Sequence, residues 1–177
     1  PPDCRDRAHL VGMWALAVSL CLIPPVSGPV ERPYVAPACR FCPGNQAVDF
    51  AAELGETVVA PVSGTIRFVG VVAGTGYVTV EVVAPTTSRR LVTVGGLTSL
   101  PASLARGRVI SQGVRLGMAA GTTVSLSLRE ITSAGDEIYV DPGAHLGQLR
   151  RRRARLVSRD FRVATGGSRR GVCALTR

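Results

Sequence analysis

The chain has 177 residues, enough for one ordinary domain with flanking segments. Its 46% hydrophobic and 19% charged residues exclude a disordered or coiled-coil chain, and 20 Gly and 12 Pro beside only 5% aromatics argue against a helical bundle. The net charge of +9 comes from 21 basic residues, all of them Arg, so Schiff-base chemistry, a lysyl-attached cofactor and a P-loop lysine are excluded.

In chain order, Arg5 and Arg7 precede a 14-residue apolar run, Leu10 to Ile23, followed by Pro24-Pro25 and the small residues Val26-Ser27-Gly28. That order predicts an export signal over residues 1–28, cut after Gly28, and hence a secreted or cell-envelope protein. The run is shorter than the roughly 20 residues of a membrane span. A permanent anchor and a buried core helix are the competing readings, the latter opposed by the basic lead and the lack of an amphipathic stripe. Residues 29–38 hold three prolines and no apolar periodicity, which predicts an extended linker.

The folded domain is expected over 39–142. Apolar and polar residues alternate there in short runs between Gly-containing turns, predicting strands near 57–60, 64–72, 76–84, 89–94, 107–112, 122–129 and 137–140. In Thr122 to Arg129, Val124, Leu126 and Leu128 share one face, while Thr123, Ser125, Ser127 and Arg129 share the other. Val78, Val80 and Val82 alternate with Thr79 and Glu81 in the same way. The expected fold is an all-β, antiparallel β-sandwich with disordered termini.

From Pro29 to Pro142, nine Arg balance nine acidic residues, whereas residues 143–177 carry ten Arg against Asp160 alone. This tail, with Arg150-Arg151-Arg152-Arg153, Gly166-Gly167-Ser168 and Arg169-Arg170, reads as disordered. It is either merely solvated or a binder of anionic polymer or lipid headgroups. No nucleic acid is expected, because no aromatic stacking platform accompanies the Arg residues.

Of five cysteines, Cys4 and Cys21 fall in the expected leader, Cys39 and Cys42 at the domain entrance and Cys173 near the end. Export favours oxidised pairs, making Cys39 and Cys42 a disulfide candidate. As metal ligands they would need two further N or S donors.

Val48-Asp49-Phe50-Ala51-Ala52, followed by Gly55-Glu56-Thr57-Val58-Val59-Ala60-Pro61-Val62-Ser63-Gly64-Thr65-Ile66, resembles the first half of the lysostaphin-type zinc metallopeptidases that cut peptidoglycan cross-bridges. Arg106-Gly107-Arg108-Val109 and Gly113-Val114-Arg115-Leu116-Gly117 resemble that family's paired glycine turns, and Tyr139-Val140-Asp141-Pro142 its closing motif. The resemblance implies a zinc site built from H-x-x-x-D and H-x-H. Here the first motif reads Asn45-Gln46-Ala47-Val48-Asp49, leaving only the vestigial Asp49. A Tyr/His segment aligns with Thr93-Val94-Gly95-Gly96-Leu97, placing Gly96 where an imidazole is expected, and H-x-H falls on Thr123-Val124-Ser125 or Ser125-Leu126-Ser127.

The chain's two histidines, His9 and His145, lie outside these motifs. The resemblance therefore implies a degenerate member with a vestigial cleft of Asn45, Asp49, Gly96, Ser125 and Ser127, no catalytic residue and no expected cofactor, zinc included. The function it suggests is an exported, non-catalytic domain that binds peptidoglycan or regulates a cell-wall hydrolase. The alternative is an active zinc endopeptidase with altered ligands. A serine nucleophile would lack a His or Lys base. Ala60 to Ile66 also resembles biotinyl and lipoyl carrier domains, which need a lysine that this chain lacks. Gly74-Thr75-Gly76 reads as a hairpin turn, having no following helix to cradle a phosphate.

Overall fold

The computed structural model describes residues 20–39, 42–82, 89–132 and 134–147. The expected leader as far as Ser19, with Cys4, and the Arg-rich tail from Gln148, with Cys173, lie outside the described residues.

The described chain is almost wholly antiparallel β-structure. Its strands are β1 (Val30–Arg32), β2 (Val48–Ala51), β3 (Thr57–Val59), β4 (Gly64–Val72), β5 (Thr75–Val82), β6 (Arg89–Thr98), β7 (Val109–Ile110), β8 (Arg115–Ala119), β9 (Thr123–Ile131) and β10 (Glu137–Val140). A short 3₁₀ turn, Pro142–His145, follows, capped by Asp141, whose carboxylate accepts from the Gly143 N–H. The strands form one open sheet of order β1-β2-β9-β6-β5-β4-β7, with β10 paired to β9 and β8 joining β3 to β6.

The alternation seen in the sequence sets the two faces. Val124, Leu126 and Leu128 of β9, Val92 and Val94 of β6, and Val78 and Val80 of β5 are all fully buried on one side. They share a core with Val58 of β3, Ala60 just after it, Leu116 and Ala119 of β8, and Leu104 and Ile110. Among the described residues Phe50, next to Asp49, is the largest fully buried side chain.

Three strands were invisible to the periodicity. β1 and β2 are short, and β2 is buried at Val48, Asp49 and Phe50 alike, so it carries no polar alternation. β8 is interrupted by Gly117, whose added Cβ would lie 2.7 Å from the Thr98 carbonyl oxygen. The smallest residue is needed for that close approach.

The segment Leu20–Gly28 packs into the domain. Leu20, Leu22 and Val26 join the core, Leu22 being fully buried. The Leu22 N–H donates to the His145 carbonyl at 2.8 Å, the Gly147 N–H returns to the Leu22 carbonyl at 2.8 Å, and the Val59 N–H donates to Pro25 at 2.9 Å. Gln112 Nε2 donates to the carbonyls of Cys21 and Pro61 at 3.0 and 2.8 Å. Cys21 is itself disulfide-bonded. The expected boundaries at Gly28 and Pro142 are thus both crossed by backbone hydrogen bonds, and a cut after Gly28 would strip three side chains from the core. Residues 29–38 likewise supply β1 and a bridge between Val35 and Asn45, where a linker was expected.

Candidate functional site

The face of the sheet opposite the core is organised in cross-strand rows. Directly paired residues share a face, so the pairing register says which side chains meet. Arg32 on β1 pairs with Asp49 on β2, Asp49 with Ser125 on β9, Ser125 with Gly95 on β6, and Gly95 with Tyr77 on β5. One row thus crosses five strands.

Asp49 is 4% exposed, and a carboxylate so buried requires partners. Arg32 supplies them, with Nε at 2.9 Å and Nη2 at 2.8 Å from the same Oδ2. Asn45 Nδ2 donates to that oxygen at 3.4 Å and to the Pro33 carbonyl at 3.1 Å. The Val35–Asn45 backbone pair, with N···O distances of 2.9 and 2.8 Å, fixes Asn45 beside the row. Just upstream, Cys39 and Cys42 are joined in a disulfide with Cα atoms 4.9 Å apart.

Gly95 rather than Gly96 occupies the row. A Cβ on Gly95 would lie 2.5 Å from Tyr77 Cε1 and 2.7 Å from Ser125 Oγ, so the tyrosine ring fills the space a larger residue would need. Gly96 has φ +86°, and its Cβ would meet the Thr123 carbonyl oxygen at 2.6 Å. It turns the strand and contributes nothing to this face.

The next row runs from Phe68 on β4 through Thr79 and Thr93 to Ser127. The Thr79 and Thr93 hydroxyls are 2.9 Å apart and hydrogen-bonded. The row beyond contains Glu81, Leu91, Arg129 and Tyr139. Arg67 and Arg89 both donate to the Glu81 carboxylate. The Arg67 hydrogen bond, reinforced by Arg89, holds the Glu81 carboxyl below its ordinary range despite its burial. Arg129 Nη1 donates to Glu137 at 2.7 Å, and its guanidinium lies 5.9 Å from the Tyr139 ring centroid. The Tyr34 hydroxyl donates to the Tyr139 carbonyl at 3.0 Å. These rows floor a groove of about 650 Å³, with Phe68, Tyr77 and Tyr139 among the residues that line it.

Asn45, Asp49 and Ser125 are therefore brought together. Ser127 stands one row away on the same face, and Gly96 lies off the face. Arg32, Tyr77 and the groove were not anticipated. The alternation of Tyr77, Thr79 and Glu81 with buried valines was the legible signal for the groove floor. Arg32 gave none, because its strand is three residues long.

A three-ligand zinc centre draws on imidazole, thiolate and carboxylate donors. This row offers one carboxylate already paired with a guanidinium, one amide and neutral hydroxyls, a donor set that does not fit the ion. Among the described residues no group of three or more His, Cys, Asp or Glu is placed to hold a metal ion.

No protein-family model and no curated protein sequence matches the chain. Its fold is nevertheless similar to solved M23 and lysostaphin structures. Helicobacter pylori Csd3 is 21% identical with a TM-score of 0.54 over 72% of this chain and 33% of Csd3. The catalytic domain of the prophage-encoded M23 protein EnpA from Enterococcus faecalis is 18% identical, TM-score 0.52, over 70% of this chain and 95% of that domain. Lysostaphin is 15% identical, TM-score 0.53, over 74% of this chain and 57% of its own. The chain spans about a third of the Csd3 chain it matches. At these identities the likeness establishes the fold.

Proposed function

We propose that this chain is a non-catalytic, peptidase-fold module of the cell envelope that binds peptidoglycan, and through that binding positions or restrains a wall hydrolase. The observation that carries the reading is the Arg32–Asp49 pair. A guanidinium supplies the positive charge beside the one acidic residue retained from the zinc motifs, and both nitrogens engage the same carboxylate oxygen. Arg is permanently charged, so at neutral pH the pair persists without a metal. The remaining positions support the same reading: Asn45 and Ser125 are neutral, Ser127 is a hydroxyl, and Tyr77 closes over Gly95.

Peptidoglycan as ligand comes from the sequence resemblance and from the fold shared with M23 peptidases. The experiment is co-sedimentation of the purified chain with insoluble peptidoglycan, with soluble fragments measured in the same tube. The chain is expected in the pellet, with no release of soluble fragments above the buffer control. Full recovery of the chain in the supernatant would defeat the binding claim, and fragment release lost in Asp49→Ala would defeat the non-catalytic one.

A further inference from the structure

The groove beyond the Arg32–Asp49 row has its own chemistry. Its two cationic lining residues are already committed, Arg67 to Glu81 and Arg129 to Glu137. A groove whose charges are neutralised from within offers little to an anion. Its floor is a paired sheet, whose backbone donors and acceptors are spent in the β4–β5, β5–β6 and β6–β9 ladders. An extended peptide lying across it would find no main-chain partners, the main source of affinity when a strand joins a sheet edge.

The groove does offer neutral hydroxyls and aromatic rings. Among the described residues, the hydroxyls of Ser127, Tyr77 and Tyr139 have no hydrogen-bond partner, and all three residues line the groove. Thr79 and Thr93 extend the hydroxyl row. Phe68 and Tyr139, respectively 42% and 37% exposed, stand at its margin, and the exposed Val72 adds apolar surface. Ring faces carry negative quadrupole charge and attract the polarised C–H groups of a flat ligand. Uncharged hydroxyls suit a ligand that donates and accepts around its edge.

We infer that this groove is a saccharide-binding site for a neutral, N-acetylated hexosamine chain, stacked on the Tyr77 and Tyr139 rings and hydrogen-bonded to Ser127, with an acetamido methyl against Val72. Its volume of about 650 Å³ falls within the usual range for small-ligand sites. The inference deepens the proposed binding of peptidoglycan by assigning recognition to the glycan rather than to the peptide, and it rests on that reading only for the ligand's natural source.

The test is calorimetric titration of the full chain with triacetylchitotriose and, separately, with a synthetic cross-bridge peptide free of sugar. Co-sedimentation with peptidoglycan is run with and without the trisaccharide. Saccharide binding is expected, weakened about tenfold by Tyr139→Ala and several-fold by Ser127→Ala. Tyr77→Phe keeps the ring over Gly95 while removing its hydroxyl, and is expected to weaken binding in a folded protein. Binding of the peptide alone, or saccharide binding unchanged in all three variants, overturns the assignment. If the chain pellets with peptidoglycan and the trisaccharide neither binds nor competes, the groove assignment fails and the wall-binding reading stands. If the trisaccharide binds a chain that does not pellet, the wall-binding reading fails and the groove assignment stands.

Discussion

The Arg32 guanidinium grips one oxygen of the Asp49 carboxylate from the neighbouring strand, Nε at 2.9 Å and Nη2 at 2.8 Å, while 74% of the Arg32 side chain and only 5% of the Asp49 side chain meet solvent. The exposure of Arg32 screens the attraction, whereas the burial of Asp49 makes loss of its partner costly. Arg32→Ala is therefore expected to lower stability by about 1–2 kcal/mol. Asp49→Asn should largely remove that penalty in the double variant, as a double-mutant cycle of urea midpoints would show. Additive effects would mean that the pair is not coupled.

Leu22 is fully buried and tied by backbone hydrogen bonds to His145 and Gly147. Leu22→Ala is expected to cost about 2–4 kcal/mol in thermal or urea unfolding. Any mature N-terminus is expected to retain Leu20, which N-terminal sequencing of the protein isolated from its native cells would check. A fully stable protein beginning at Pro29 would contradict this packing.

The same contacts tie residues 145–147 to Leu22. A chain truncated after Pro142 should have a lower Tm than one truncated after Gly147, because it loses the Leu22 bridge. Loss of the Arg-rich residues 148–177 should also reduce retention on anionic vesicles at low salt, because such attraction is screened over about 8 Å at physiological ionic strength.

Hydrogen bonds from the Ser27 backbone and hydroxyl, at 2.9 and 2.8 Å, hold the Glu56 carboxyl below its ordinary value, and Arg67 and Arg89 do the same for Glu81. A carboxyl depressed in the folded state stabilises the fold fully above its unfolded pKa and loses that contribution as pH falls through the folded value. Stability should thus be flat near neutrality and decline below about pH 5. Glu81→Gln should flatten the acid limb relative to the wild type in urea unfolding followed across pH. An acid limb identical in that variant would show that Glu81 carries none of it.

Much of this architecture was legible in the chain because one-sided burial leaves an alternating pattern. Val124, Leu126 and Leu128 announced β9, and the position of Ser125 and Ser127 on its other face followed at once. β2 was hidden because Asp49 is itself buried between Val48 and Phe50, erasing the alternation. The packing of Leu20, Leu22 and Val26 was hidden for another reason: a short apolar run satisfies a leader and a core segment equally, and only tertiary contacts separate them. Gly95 and Gly96 were indistinguishable in sequence; in the fold Gly96 has φ +86° beside the Thr123 carbonyl, while Gly95 lies against the Tyr77 ring. Arg32 could not be linked to Asp49 without knowing that the proline-rich segment doubles back to pair with β2.

Asp49, partnered by Arg32, is expected to take no metal. The most direct measurement is the zinc-to-protein ratio of the intact chain after equilibration with excess zinc and removal of the unbound ion, read beside Asp49→Ala. Substoichiometric zinc is expected in the wild type, with no change in the variant. A ratio near one that collapses in Asp49→Ala would make Asp49 a zinc ligand and overturn the Arg32 pairing as its role.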